Sequence, residues 1–196
     1  MRFWILLLGA VGALGFGARS QGQSGIEAAR RGRVVIVCRH ATTESADEDE
    51  QTLRYDDPLT QRRLSRAGER QAVDFGKAIR SLKIEVAEVI ASPMQRARRT
   101  AELAFGQARV DSLWHTRGED YGGPRLQERS KVLGHKPARG TRIIISHIGT
   151  IYSNLPSIRG ELDEGDCVVV RPQDGTQYEV IEVVPWHAWV QAGRID

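Results

Sequence analysis

Cysteine is nearly absent from this chain: Cys38 and Cys167 are the whole supply in 196 residues. Two thiols so far apart in sequence provide neither a disulfide framework nor a four-ligand zinc site, so no metal is implied. Cys38 reads as a small strand residue. It is not the nucleophile of a cysteine phosphatase, which needs an Arg six positions on, where this chain has Glu44. Aromatic residues are only 6% of the chain. The late Trp186-His187-Ala188-Trp189 lacks the interleaved basic residues of a nucleic-acid stacking platform and reads as core capping or a surface hairpin. There is no P-loop, dinucleotide fingerprint, zinc-helix motif or internal repeat, and so no cofactor is expected. No charge of one sign dominates either: 28 Lys and Arg against 25 Asp and Glu leave a net +3, with a sequence pI near 9.1. That mild basicity suits an anionic small substrate, and nothing else points to nucleic acid.

What is present is the mix of an ordinary globular protein, 40% hydrophobic and 27% charged. The length supports one domain burying roughly 70% of its unfolded surface. The N-terminus stands apart. Met1 and Arg2 precede an uncharged run from Phe3 to Ala18, followed by Arg19 and a polar stretch. This is the order of a signal peptide, with Gly17 or Ala18 as the small residue before the cut. The run is shorter than the roughly 20 apolar residues of a comfortable membrane span, which favours cleavage over an uncleaved anchor. Residues 1–24 are therefore expected to be signal peptide and linker, with Gln21 to Gly25 solvated and the domain proper at 33–196. Export places the protein in the periplasm or outside the cell, with membrane contact only through an uncleaved N-terminal segment.

The remainder alternates short apolar runs with helical patterns. Val34 to Val37 and Ile143 to Ile145 are continuous β-branched runs, as in strands covered on both faces. Between them Gly68, Ala72, Phe75, Ile79 and Leu82 recur at helical spacing behind Ser65, a good N-cap. Val86 to Ala91 forms another strand and runs into Ser92-Pro93-Met94-Gln95. There the Ser is expected to cap a helix, with Pro at its first position and Gln completing a capping box. Val110 ends a further strand, and Asp166 to Arg171 with Gln177 to Val184 make two late strands around a Gln-Asp-Gly turn. This alternation predicts an α/β three-layer sandwich, a mostly parallel central sheet with helices on both faces.

In such sheets ligands bind beyond the carboxyl ends of the strands. Three strands here end in Arg39-His40-Ala41-Thr42-Thr43, in Ser92 through Arg96, and in Ser146-His147-Ile148-Gly149. Two His and two Arg thus gather at one rim. A neutral imidazole attacks phosphorus in line, while guanidinium groups hold the equatorial oxygens. Singly, each residue has a bland alternative: His40 or His147 as a structural hydrogen-bonder, Arg96 as one charge on a solvated face with Arg98 and Arg99. Their joint arrival at three strand ends favours chemistry.

From Arg33 to Trp189 the chain resembles the histidine phosphatase, or phosphoglycerate mutase-like, superfamily. Arg39-His40-Ala41-Thr42-Thr43 is similar to its Arg-His-Gly-x-Thr signature, and Leu64-Ser65-x-x-Gly68 to its first helix start. Ser92-Pro93 through Arg96 to Thr100 is similar to its second phosphate-binding segment, and Ser146-His147-x-Gly149 to the segment with the second His. The last segment, Leu162-x-Glu164-Gly165-Asp166 followed by Val168 to Pro172, is similar to that of small exported members. The resemblance implies that His40 is the nucleophile and becomes a phosphohistidine. It implies further that Arg39, Arg96 and His147 bind the phosphoryl group, and that Thr43 is a weaker contact.

Two positions depart from the family pattern. Ala41 stands where the signature has Gly, placing a β-carbon beside the nucleophile. The usual donor carboxylate, two residues after a Leu beyond the third strand, is His115 in Leu113-Trp114-His115. Glu119, Asp120 or His115 is left to protonate the leaving oxygen, and the spacing does not choose among them. The acidic run from Glu44 to Glu50 lacks the alternation of a calcium loop and reads as a solvated loop near the site. The expected function is that of an exported, metal-independent phosphatase of phosphomonoesters, acting on a phosphorylated small molecule or an envelope phosphate. The rival is a phosphate-binding module of weak or no activity, holding envelope phosphates such as those of lipopolysaccharide. Oligomeric state is not legible in the sequence.

Overall fold

The computed structural model describes residues 22–44, 55, 57–115 and 122–194. The expected signal peptide lies outside the described residues. So do Glu119, Asp120 and most of the acidic run. Six strands form one sheet in the order β3-β2-β4-β1-β5-β6: β1 Val35–Arg39, β2 Val86–Ala91, β3 Arg109–Val110, β4 Thr141–Ser146, β5 Cys167–Pro172 and β6 Tyr178–Val184. The first four run parallel; β5 pairs antiparallel with β1 and forms a hairpin with β6. Helices α1 Gln23–Arg31, α2 Arg66–Ser81, α3 Gln95–Phe105, α4 Gly123–Gly134, α5 Ile148–Asn154 and α6 Trp186–Ala192 cover both faces. The three-layer α/β sandwich expected from the alternation is the fold.

Why the β-branched runs are uninterrupted follows from this layering. Ile36, Ile143 and Val169 face one core with Phe75 and Ile79 of α2, Ala101 of α3 and Trp189 of α6. Val35, Val37, Ile144 and Val168 face the other, with Leu133 of α4 and Ile151 of α5. Neither face of the central strands meets water, so alternation has no purpose there. Of the two readings of Trp186 to Trp189, core capping holds and the hairpin does not: the segment lies in α6, with Trp189 fully buried in the first core.

The N-terminal boundary differs from the expectation. Gly22 to Arg31 is not a linker: Ile26, Ala28 and Ala29 of α1 are buried in the first core. The start of α1 is tied to β6, because the Glu182 carboxylate accepts hydrogen bonds from the amides of Gly22 and Gly25 at 2.8 Å each. A carboxylate at a helix N-terminus satisfies otherwise orphaned amides, and sequence inspection missed it because Glu182 lies at the far end of the chain.

Ser65 caps α2 as expected, its hydroxyl accepting from the Gly68 amide at 3.0 Å. Gly68 has a second reason to be glycine: a β-carbon there would collide with the Thr42 carbonyl, so its absence lets α2 lie against the segment after β1. The cap of α3 is different. The cap position is Met94 rather than Ser92: the Ser92 hydroxyl accepts from the Met94 amide at 3.3 Å, and the side chain of Gln61 accepts from the Gln95 amide at 2.6 Å. The Ser92 hydroxyl also lies 2.7 Å from His147 Nε2.

The two cysteines are bonded to each other. Cys38 and Cys167 are direct register partners across β1 and β5, with Cα atoms 4.0 Å apart. Sheet register brings together residues 129 apart in sequence, which corrects the reading of Cys38 as merely a small strand residue.

Candidate active site

Strands β1, β2 and β4 end side by side, and the segments leaving them hydrogen-bond to one another. The His40 amide donates to the Ser146 carbonyl and the Ser92 amide to the Ile145 carbonyl, each at 3.0 Å. His40, Ser92 and His147 therefore stand on one rim by strand register alone. His40 is 2% exposed and its ring centre lies 5.4 Å from that of His147. His40 Nδ1 is 2.9 Å from the Ala41 carbonyl oxygen. A carbonyl only accepts, so Nδ1 carries the proton and Nε2 keeps its lone pair.

Burial is the first cause holding His40 well below the usual histidine pKa, followed by the charge of Arg96 and then those of Arg39 and Arg62. His147 is lowered for the same first two reasons, burial and Arg96, with smaller pushes from His40, His115 and Arg62. The guanidinium of Arg96, in the first turn of α3, thus stands beside both imidazoles while itself buried. Arg98, two residues on, is exposed and lies 3.9 Å from Glu102 on the outer face of the helix. Thr100 fastens α3 to the nucleophile: its hydroxyl accepts from the Ala41 amide at 3.0 Å and donates to the Arg96 carbonyl at 2.7 Å.

Ala41 fits. It is not among the described residues with a positive φ, so its β-carbon brings no backbone strain. His147 Nε2 lies 2.7 Å from the Ser92 hydroxyl, and its Nδ1 is buried with no hydrogen-bond partner. A phosphoryl oxygen would satisfy that nitrogen.

Arg39 is placed less simply than expected. Its two terminal nitrogens donate outward, to the Leu162 carbonyl at 3.2 Å and the Glu164 carboxylate at 3.3 Å, while its Nε is buried with no hydrogen-bond partner. Thr43 likewise turns to Glu164, which accepts from its amide at 3.1 Å and its hydroxyl at 3.0 Å. His115 is brought into the site. It is 8% exposed, its ring centre 5.1 Å from that of His147, and its Nδ1 is 2.6 Å from the Tyr55 hydroxyl. Ser146 holds its segment in place by donating to the Trp114 carbonyl at 2.7 Å, and buried Arg129 of α4 bonds both Leu113 and Asn154.

Two site residues escaped the sequence reading. Arg62 lies before α2, and the bridge between Thr43 and Leu64 helps bring its segment to the nucleophile. Glu164 stood in the quoted final motif without a role. Among the described residues no group of three His, Cys, Asp or Glu is placed to hold a metal ion, and no helix is long and apolar enough to cross a membrane.

No curated protein matches the chain by sequence. Its fold is shared with the protein histidine phosphatase SixA complexed with tungstate, at TM-score 0.59 and 16% identity, covering 79% of this chain and 97% of that one. It is shared with a putative alpha-ribazole-5'-P phosphatase from Escherichia coli, at TM-score 0.57 and 12% identity, covering 78% and 97%. A phosphoserine phosphatase mutant from Entamoeba histolytica in complex with phosphoserine aligns at TM-score 0.56 and 14% identity, over 79% and 98%. The family model that matches is that of the histidine phosphatase superfamily, branch 1, over residues 35–117, the stretch holding Arg39, His40, Arg62, Arg96 and His115. Over that stretch the chain is similar to the histidine phosphatase superfamily, and the solved structures share its fold.

Proposed function

We propose that the protein is an exported phosphatase that hydrolyses phosphomonoesters through a phosphohistidine on His40. The observation that carries this is an imidazole whose Nδ1 proton is tied to the Ala41 carbonyl and which burial first, and then arginine charges, keep neutral. In the first step the Nε2 lone pair forms a bond to phosphorus and the ester P–O bond breaks. The leaving oxygen takes a proton from a nearby acid, for which His115 is the described candidate. In the second step water adds to phosphorus and gives a proton back to that acid, the N–P bond breaks, and its electron pair returns to Nε2. Arg39, Arg96 and His147 stabilise the charge on the equatorial oxygens, with Thr43 as a weaker contact. The guanidinium groups supply the positive charge, so the reading calls for no metal.

The fold relatives include phosphatases of phosphorylated protein histidine and of phosphoserine, which supports phosphoryl chemistry at this rim. The disulfide supports export, since such bonds persist in oxidising compartments, and the substrate is then a phosphorylated small molecule or an envelope phosphate met in the periplasm or outside the cell.

The test is rapid quench of the full chain during turnover of radiolabelled p-nitrophenyl phosphate, followed by peptide mapping. Base-stable, acid-labile label on the His40 peptide is expected, absent from His40→Ala. Label on a Ser or Thr, or none during active turnover, overturns the mechanism.

A further inference from the structure

We propose that Glu164 is the positioning residue of this site: the counter-charge that keeps the Nδ1 proton of His40 in place while the phosphoenzyme breaks down. The proposal rests on the phosphohistidine reading above and adds a residue with a defined task to it.

The carboxylate of Glu164 is four-fifths buried at the side of His40 remote from Nε2, with one oxygen 4.0 Å from Nδ1. The same oxygen accepts from Arg39 and from the Thr43 hydroxyl, while the other accepts from the Thr43 amide. One side chain therefore spans the nucleophile's neighbours on both sides of Ala41 and Thr42. Its own backbone is held with equal care. Gln71 of α2 donates to the Glu164 carbonyl at 2.9 Å and accepts from the Thr42 amide at 2.9 Å, and the Gly165 amide donates to the His40 carbonyl at 2.9 Å. Gly165 has φ +91°, and a β-carbon there would run into Gln71, so only glycine permits the turn that aims Glu164. Two residues later the chain is bonded to β1 through Cys167 and Cys38.

The chemistry gives this placement a task. When Nε2 bonds to phosphorus, the imidazole becomes a phosphoimidazolium with its positive charge shared by the N–H at Nδ1. N–P cleavage expels a neutral imidazole only if that proton stays; without it the leaving group is an imidazolate. The remaining charged or titratable groups facing His40 are Arg39 on β1, Arg62 before α2, Arg96 on α3 and His147 after β4. The arginines all oppose a cation there. Glu164 is the one described carboxylate within 4.0 Å of His40, and an opposite charge at such a distance favours the protonated form.

The experiment loads the full-length protein from radiolabelled p-nitrophenyl phosphate, chases with unlabelled substrate, and follows loss of the base-stable label. In Glu164→Gln the label should decay about tenfold more slowly than in wild type, as expected when a neighbouring counter-charge is lost. The slowing should be greater at about pH 8 than at about pH 6, as a lost proton requires. Glu164→Asp, which keeps the charge but withdraws it, should fall between. A decay rate equal to wild type in Glu164→Gln, or a slowing that is the same at both pH values, overturns the proposal. If Glu164→Gln does not fold by circular dichroism, Glu164→Asp decides alone: slower, pH-dependent decay supports the role and wild-type decay refutes it. A wild type that forms no label on His40 refutes instead the reading beneath it.

Discussion

Reducing the Cys38–Cys167 bond is the perturbation whose magnitude the structure states most directly. The bond closes a loop between residues 129 apart, and its two cysteines are 2% and 0% exposed in the folded chain. In the chain-entropy account a closed loop of that length removes about 5 kcal/mol of freedom from the unfolded ensemble at 25 °C. Whole domains are stable by only about 5–15 kcal/mol, so the reduced protein is left near the margin of folding. The assay is urea unfolding of oxidised protein and of protein reduced in denaturant and refolded under reductant. With a slope of about 2 kcal/mol per molar urea, the midpoint should fall by about 2.5 M on reduction. The oxidised protein should also show the shallower slope, because its unfolded state is more compact. Reductant added under native conditions should act slowly, at the pace of opening rather than of thiol exchange, since neither sulfur meets solvent. Equal midpoints in the two forms, or two free thiols titrated in the unreduced, denatured protein, would refute the reasoning.

Two further outcomes are expected. The folded-state pKa values of His40 and His147 are depressed below about 6.5, by burial first and Arg96 second, so below that pH the unfolded chain takes up protons that the folded chain refuses. Stability should therefore fall on acidification, by up to about 1.4 kcal/mol per pH unit for each histidine. Urea midpoints at a series of pH values check this; the slope should flatten in the His40→Ala/His147→Ala double variant, and a protein that gains stability as pH drops refutes the burial argument. Removing a proton donor penalises an alkoxide far more than a nitrophenolate, so His115→Ala should widen the ratio of aryl to alkyl phosphate turnover by roughly 100-fold. An unchanged ratio takes the acid role away from His115.

The elements and the rim were legible because their signals are local. A β-branched run buried on both faces, a Ser three residues before a Gly amide, and an apolar stripe at helical spacing each act over a few neighbouring residues. Given a mostly parallel sheet, the rule that strand ends hold the ligand was enough to collect Arg39, His40, Arg96 and His147. Beyond that range, strand order and register decided. They paired Cys38 with Cys167, a match that no spacing encodes. They brought Gln61 to the Gln95 amide at the start of α3 and set His147, after β4, against the Ser92 hydroxyl. They joined α1 to the body through Glu182, some 160 residues away. His115 was legible as a candidate, but its contact with His147 and Tyr55 was not. Glu164 shows the division most plainly. Its chemistry was visible in the sequence as one acid among 25 Asp and Glu. Its nearness to His40 exists only because β5 runs antiparallel beside β1 and Gly165 turns the chain back across the nucleophile, and an electrostatic interaction depends on that distance in space rather than on separation along the chain.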